Sequence, residues 1–338
     1  MKHYVGIDLH CNNNLLVIID EADRIAFRQR LANDLQEVLS VLECFRESIM
    51  GIAVESTFNW YWLVDGLMEA GYELHLVNTA AARQYEGLKH QDDESDARWL
   101  AHLLRLGLLP TGYIYPRESR PLRDLLRKRA HLVRQQTANI LSIENLYARN
   151  LGWRIRSKDV WQLSAEKIGQ DFQEEHLTLA ASSSLAVLNT LRCQIRTLER
   201  VILAQVWNHP SFQMLETISG VGKILAMTIY LETGRIGRFK KPGDYLSYCR
   251  CVGSNKMSNQ KKKGEANRKN GNKYLAWAFI EAATFALRWD LSARRFYQRK
   301  TSKRGSVVAK KALAHKLCRA SYYVMRDQVR FSSEQLFA

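Results

Sequence analysis

His3-Tyr-Val-Gly-Ile-Asp8 opens the chain as an apolar run that closes on one carboxylate, and its reading decides how the next hundred residues are understood. Short apolar runs bounded by polar residues read as strands. Leu15-Leu-Val-Ile-Ile19 reads as a second strand, Glu21 to Arg24 as a turn, and Ile25 to Leu31 as a third strand with partial alternation. Asn33 or Asp34 is placed to cap a helix reaching about Arg46. Gly51-Ile-Ala-Val-Glu55 is again an apolar strand ending on an acid. Asn59 to Ala70 reads as an aromatic-rich helix and Glu73 to Val77 as a further strand. After residues 83–91, Trp99 to Leu106 continues an amphipathic helix.

Three strands in series, then helix, strand, helix, strand and helix, is the order of a ribonuclease-H-like α/β fold. Its central strand would hold Asp8 and its neighbour Glu55. The helix after residues 83–91 would bring further acids across from Leu88-Lys-His-Gln-Asp-Asp-Glu-Ser-Asp-Ala-Arg98, in which four of eleven residues are acidic. Asp93 and Asp96 are three apart and share one helical face. The bland reading is a solvated helix start, because the macrodipole favours carboxylates in a first turn. Isolated acids ending two strands favour a divalent-metal site instead. Magnesium takes carboxylates and few protein ligands, and two such ions about 3.5–4 Å apart can activate one phosphate. The set is Asp8, Glu55, Asp93 and Asp96, with Asp92 an alternative to Asp93 because it stacks on Asp96 at four-residue spacing.

Charge is uneven along the 338 residues, which carry a net +16. Residues 1–115 are net −8, residues 116–205 net +6 and residues 206–338 net +18. This predicts metal chemistry in the first part and phosphate binding in the last. No apolar run approaches the ~18 residues of a membrane span. The chain starts on a strand with no signal-like segment, and its six cysteines have no CxxC spacing, so it reads as a cytoplasmic protein with reduced thiols.

Pro110 to Pro121 breaks the pattern, which gives an α/β domain over 1–115, a helical linker over 116–206 and a helical C-terminal domain over 207–338. Leu125, Leu132, Ile140 and Leu146 stripe a helix from Leu122 to Leu151. Leu185 to Ile202 stripe a second from about Ser182 to Val206, as in a helical hairpin or short coiled coil. Ile218-Ser-Gly-Val-Gly-Lys223 is a helix-hairpin-helix-like turn, which admits a phosphate contact beside Lys223 or a plain tight turn between helices. Lys256 to Gly264, with Lys256, Lys261, Lys262 and Lys263, reads as a polar loop, followed by Arg268, Lys269 and Lys273 as further phosphate-binding residues. The basic run Arg294 to Arg304 between two helices reads as a backbone-binding strip. Ser258 in the polar loop is by residue type an ordinary loop serine or, with lysines around it, a nucleophile toward phosphorus.

Tyr4-Val-Gly-Ile-Asp8, Ala53-Val-Glu-Ser-Thr57, Asp93-Glu-Ser-Asp-Ala-Arg98, Ile218-Ser-Gly-Val-Gly222, Ser254 to Gly264 and Lys269-Asn-Gly-Asn-Lys-Tyr-Leu275 follow in order over nearly the whole chain. Together they resemble the DEDD transposases of the insertion-sequence group whose recombinases are guided by a bridge RNA. The resemblance implies a RuvC-like catalytic domain, a coiled-coil linker and a C-terminal transposase domain. It implies a metal-binding tetrad of Asp8, Glu55, Asp93 and Asp96 holding two Mg²⁺ ions, and Ser258 as the nucleophile. It further implies donor and target DNA and a structured guide RNA as partners, in a dimer-to-tetramer homo-oligomer. Asn259 stands where many relatives have Gly, and Cys251-Val-Gly-Ser254 replaces a Pro-containing run, so Ser254 is the runner-up nucleophile. A structure-selective junction nuclease using metal-activated water is the alternative function.

Overall fold

The run opening on His3 forms the central strand of a five-stranded sheet in the computed structural model. The structure describes residues 1–82, 93–253, 255–259, 261–265 and 270–338, with backbone alone at 93, 94, 255–257, 262 and 265. The expected acid Asp92, Ser254, Arg268 and Lys269 lie outside the described residues, as does the side chain of Asp93.

The sheet contains β1 (His3–Leu9), β2 (Asn13–Asp20), β3 (Ile25–Ala32), β4 (Ile49–Glu55) and β5 (Leu74–Val77), in the order β3-β2-β1-β4-β5. β1, β2 and β3 pair antiparallel, whereas β4 lies parallel to β1 and β5 parallel to β4. The mixed directions and this order are consistent with the expected ribonuclease-H-like arrangement. Helices α1 (Leu35–Glu43) and α2 (Tyr61–Glu69) cover one face, where Val5, Ile7, Ile52 and Val54 pack with Leu42, Leu63 and Leu67. Asp34 caps α1, its Oδ1 accepting from the amides of Gln36 at 2.7 Å and Glu37 at 3.2 Å. After the short α3 (Thr79–Ala82), helix α4 (Asp93–Arg105) covers the opposite face, packing Ala97 and Ala101 on Val17 and Ile19, and Leu100 on Ala53 and Val77. The central strands are thus buried on both faces, which explains their unbroken apolar runs. β3 alternates poorly because it is an exposed edge.

The chain divides into two compact units, residues 1–117 with 254–270, and residues 118–253 with 271–338. In the second, α5 (Arg120–Leu151) packs along α8 (Glu175–Val206). Between them, α6 (Ser157–Val160) and α7 (Ala165–Phe172) close the end of this hairpin over a small core of Ile143, Tyr147, Ile168, Phe172 and Leu188. α8 starts seven residues earlier than Ser182, because Glu174 caps the backbone amides of His176 and Leu177 and the serine run continues the helix. A larger core gathers α9 (Pro210–Glu216), α10 (Lys223–Thr233) and α11 (Pro242–Tyr248). Two short strands of the first unit come next in the chain, β6 (Asn255–Ser258) and β7 (Lys261–Glu265). Then α12 (Lys273–Trp289), α13 (Leu291–Arg304), α14 (Ser306–Asp327) and α15 (Ser333–Phe337) complete the second unit.

Two expectations change here. The polar stretch after Lys256 is a two-stranded hairpin and not a loop, since backbone pairing needs no apolar side chains. The basic run Arg294–Arg304 is itself a helix, anchored by the buried Ala293 and Phe296, and not a connector. All six cysteines are free; burial raises the thiols of Cys249 and Cys318, which argues against thiolate metal ligands there. Among the described residues no helix is long and apolar enough to cross a membrane.

Candidate active site

The β1–β4 register runs from Tyr4 beside Gly51 to Ile7 beside Val54, so the next residues, Asp8 just before the end of β1 and Glu55 at the end of β4, reach the same end of the sheet. Alternation places Val5 and Ile7, with Ile52 and Val54, under α1 and α2. Gly6 and Asp8, like Gly51, Ala53 and Glu55, therefore belong to the α4 face. There α4 runs against the strands: Gly51 lies near Leu104, Ala53 packs with Leu100, and Gly6 abuts Ala97. Following the strands toward Asp8 and Glu55 means following α4 back toward its start, where Asp93 and Asp96 stand. A Cβ on Gly6 would sit 1.9 Å from the Ala97 carbonyl oxygen and 2.8 Å from the Ala101 nitrogen, so glycine is what lets α4 lie this close.

Asp8 is buried, at 3% exposure; Glu55 and Asp96 are half-buried, and the Oδ1 atom of Asp96 is screened from water. The donors are all carboxylate oxygens, which suits magnesium or manganese better than zinc. Among the described residues no three His, Cys, Asp or Glu side chains stand close enough together to hold an ion. That set leaves out the side chain of Asp93. The structure thus brings three of the acids to one end of one layer without closing them around an ion.

A neighbour missed in the sequence is His10, whose Nε2 lies 3.3 Å from Asp8 Oδ2. The turn that carries it is tied on two sides. Asn33 Nδ2 donates to the carbonyls of His10 and Cys11, both at 3.0 Å, and Asn59 Nδ2 donates to His10 O at 2.9 Å. Thr57 donates to Asn59 Oδ1 at 2.9 Å. The segment leaving β4 thereby holds the segment leaving β1. The available signal was polar residues just beyond the carboxyl ends of two parallel strands, the place where open α/β sheets bind ligands.

Ser258 is the last residue of β6, paired with Lys261 of β7, and both are exposed. Asn259 has φ +48, in the left-handed region. Glycine meets that requirement freely and asparagine is the next most tolerant residue, so Asn259 can hold this backbone conformation. The hairpin presents Ser258 at its tip, and it belongs to the same compact unit as the acids.

Residues 5–148 match the family of DEDD transposases of the IS110 type, and residues 212–298 match the family described as "Transposase IS116/IS110/IS902 family". The chain belongs to the IS110 family of transposases. It is also similar to "Putative transposase y4qE" of Sinorhizobium fredii, 22% identical over 320 residues, covering 87% of this chain and 75% of that protein. In this transposase the two matched regions fall on the sheet with the start of the helical hairpin, and on the segment that carries Ser258.

In the glycine turn of the transposase, tight packing accounts for the first glycine. Gly220 has φ +87, and a Cβ there would meet Ala282 O at 2.2 Å, so packing on α12 requires it. Gly222 leads into α10 without a side-chain cap, leaving the first amides of that helix open beside the exposed Lys223, whose Nζ lies 5.2 Å from the Trp207 ring centre. Lys263 and Lys273 are exposed as well, whereas the side chains of Lys256 and Lys262 are not described.

The hairpin segment is pinned where it leaves and returns. Asn272 N donates to Tyr248 O at 2.6 Å, and Arg250 Nη2 donates to Gly271 O at 2.9 Å. Gly271 has φ +87, and its missing Cβ would lie 2.4 Å from Tyr248 O. Asn272 also caps α12, and its Nδ2 donates to Glu232 Oε2 at 2.6 Å. Glu232, at 1% exposure, receives Arg127 Nε and Nη2, both at 2.7 Å. Burial works against the charged guanidinium, but the hydrogen bonds and charge of Glu232 outweigh it and raise the Arg127 pKa. The Lys269–Leu275 motif thus contains residues whose first job is to anchor the neck of the hairpin.

Proposed function

We propose that this transposase cleaves and rejoins DNA strands by a metal-assisted, serine-based reaction guided by a structured RNA. The observation that carries the reading is placement: Asp8 and Glu55 lie at the carboxyl ends of neighbouring parallel strands, and the acidic first turn of α4 stands at the same end of the layer. Asp8, Glu55, Asp93 and Asp96 would hold magnesium, which on binding would offset charge on the reacting phosphate. His10 borders Asp8 and would help orient its carboxylate. Ser258 Oγ attacks the scissile phosphorus, giving up its proton; the 3′-oxygen leaves and is protonated to a 3′-hydroxyl, so the 5′ side remains as a phosphoserine ester. Attack of another strand's 3′-hydroxyl on that ester forms the new phosphodiester and returns the proton to Ser258. Lys261, the cross-strand partner of Ser258, and the exposed Lys263 would stabilise charge on the phosphoryl oxygens.

Lys223, Lys256, Lys262, Arg268, Lys269 and Lys273 are proposed to bind backbone phosphates of donor DNA, target DNA or the guide RNA. Sequence choice then rests on base pairing with the RNA, and a homo-oligomer brings donor and target together. The deciding experiment incubates the transposase with labelled donor DNA, Mg²⁺ and RNA transcribed from the sequence flanking its gene. A covalent protein–DNA adduct is expected, absent in Ser258→Ala and retained in Ser258→Cys as a thiol ester of phosphate. Cleavage with free 5′-phosphates and no adduct in the parent protein would replace this reading with a metal-activated-water nuclease.

A further inference from the structure

Residues 291–326 contain eleven Lys and Arg and no Asp or Glu, a run that occupies α13 and nearly all of α14. The two helices pack together, and the packing concentrates charge. Phe296 of α13 is buried beneath three cations: the Lys316 Nζ lies 5.3 Å from its ring centre, the Lys300 Nζ 5.9 Å and the Arg299 guanidinium 6.0 Å. Burial, and then the charges of Arg299, Arg319 and Lys300, lower the Lys316 pKa. Arg295, Arg299 and Lys303 recur every four residues and all are exposed, giving a row of charges about 6 Å apart along the helix. None of the described ion pairs with a carboxylate involves a cation between Arg294 and Arg319. Like charges held this close repel one another in the unliganded protein, and a polyanion relieves that repulsion by displacing its own counterions.

An aromatic residue stands at the head of this ridge. Trp289, the last residue of α12, is 83% exposed. Beside it the Arg294 guanidinium donates to Leu287 O at 3.1 Å and Arg288 O at 3.0 Å, which fixes the start of the charged row against the end of α12. A large exposed indole next to a row of cations is the combination that holds single strands, by stacking an unpaired base while the phosphates track the charges.

We propose that the α13–α14 ridge, with Trp289 at its head, is a binding site for single-stranded nucleic acid, separate from Ser258 and from the lysines of its hairpin. The shared chemistry is a phosphodiester backbone with unpaired bases, supplied either by an RNA or by an exposed DNA strand.

The test measures binding of the full-length transposase to random-sequence single-stranded RNA, single-stranded DNA and duplex DNA over a series of salt concentrations. The triple variant Arg295→Gln, Arg299→Gln, Lys303→Gln is expected to lose roughly two units of the slope of log K against log salt on a single strand, at about 0.7 per phosphate contact. Trp289→Ala is expected to weaken single-strand binding about tenfold and leave duplex binding unchanged. The charge-preserving Arg295→Lys, Arg299→Lys variant keeps the slope, and its melting temperature, with that of the triple variant, controls for folding. Loss on the RNA arm, the DNA arm or both supports the site and identifies its source. An unchanged slope on both single strands, or loss on duplex alone, overturns it. Binding needs no cleavage, so Ser258→Ala retains the full slope here even if the serine reading fails.

Discussion

Replacing Gly6 with Ala tests whether the acids depend on the contact between α4 and the sheet. The added Cβ would lie 1.9 Å from Ala97 O, while real contacts of this kind do not fall below 3.0 Å, so the helix must retreat by at least 1.1 Å. Its obstacle is backbone, and no rotamer change relieves it; Ala97→Gly does not rescue it either, because the carbonyl remains. Overpacking of a core by one methyl costs roughly 1–3 kcal/mol, and for a unit of this size that is a fall of about 4–12 °C in melting temperature. The displaced helix carries Asp93 and Asp96 away from Asp8 and Glu55. A 1 Å displacement of reacting groups lowers rates on the order of a hundredfold, so cleavage should fall further than stability alone requires. The assay pairs scanning calorimetry with strand cleavage at a temperature where the variant remains folded. Gly243→Ala, which meets no atom within 4 Å, serves as the handling control. A Gly6→Ala protein with unchanged melting temperature and cleavage would refute the claim that this close approach builds the site.

Other outcomes follow from the same geometry. Glu232→Ala removes the partner of the half-buried Arg127 and of the neck residue Asn272, and urea denaturation should show a loss of about 1–3 kcal/mol, the cost of leaving partly buried polar groups unsatisfied. His209 caps α9 by accepting from Ser211 N at 3.2 Å, and burial lowers its pKa below the ordinary 6.5. The unfolded chain therefore takes up this proton first as pH falls, so stability declines from about pH 6.5 downward until the folded form also protonates; His209→Asn, a good cap, should flatten that part of the urea midpoint-versus-pH curve. Asp8→Asn should weaken Mn²⁺ binding measured by titration calorimetry while leaving single-strand binding unchanged, and equal heats in the two proteins would remove Asp8 from the metal set.

Much of the first unit was legible because its strands are short and carry their acids at their ends. Asp34 was foreseeable as a cap because only its side chain and that of Asn33 precede the apolar period. What escaped was tertiary. His10, Asn33 and Asn59 look like loop residues until β1 and β4 are set side by side, and only then do their hydrogen bonds close around the turn after Asp8. Likewise Glu232 sits in an apolar helix with nothing in its own segment to say that Arg127, 105 residues earlier, will meet it. The serine run at 182–184 was misleading for a different reason. Serine weakens a helix locally, but buried Ala181, Leu185 and Leu188 hold α8 together through it.

The charge pattern shows how far a linear reading goes. Along the sequence the first third is acidic and the last third basic, which suggests two regions of opposite sign. The fold redistributes this. Residues 1–117 carry net −7, but the hairpin segment 254–270 that joins their unit carries net +5, leaving that unit at −2 and the other at +18. A strongly negative catalytic unit would repel the phosphates it must cleave, by amounts that grow as salt is lowered. Adding the lysine hairpin to the acidic sheet removes most of that repulsion and, on the proposed mechanism, would deliver the nucleophile. Long-range attraction is left to the helical unit, whose +18 acts at a distance on any polyanion. Salt should therefore act on the two units differently. Capture of nucleic acid, governed by the helical unit, should fall steeply with ionic strength, whereas the cleavage rate of already bound DNA, set within the near-neutral unit, should change little.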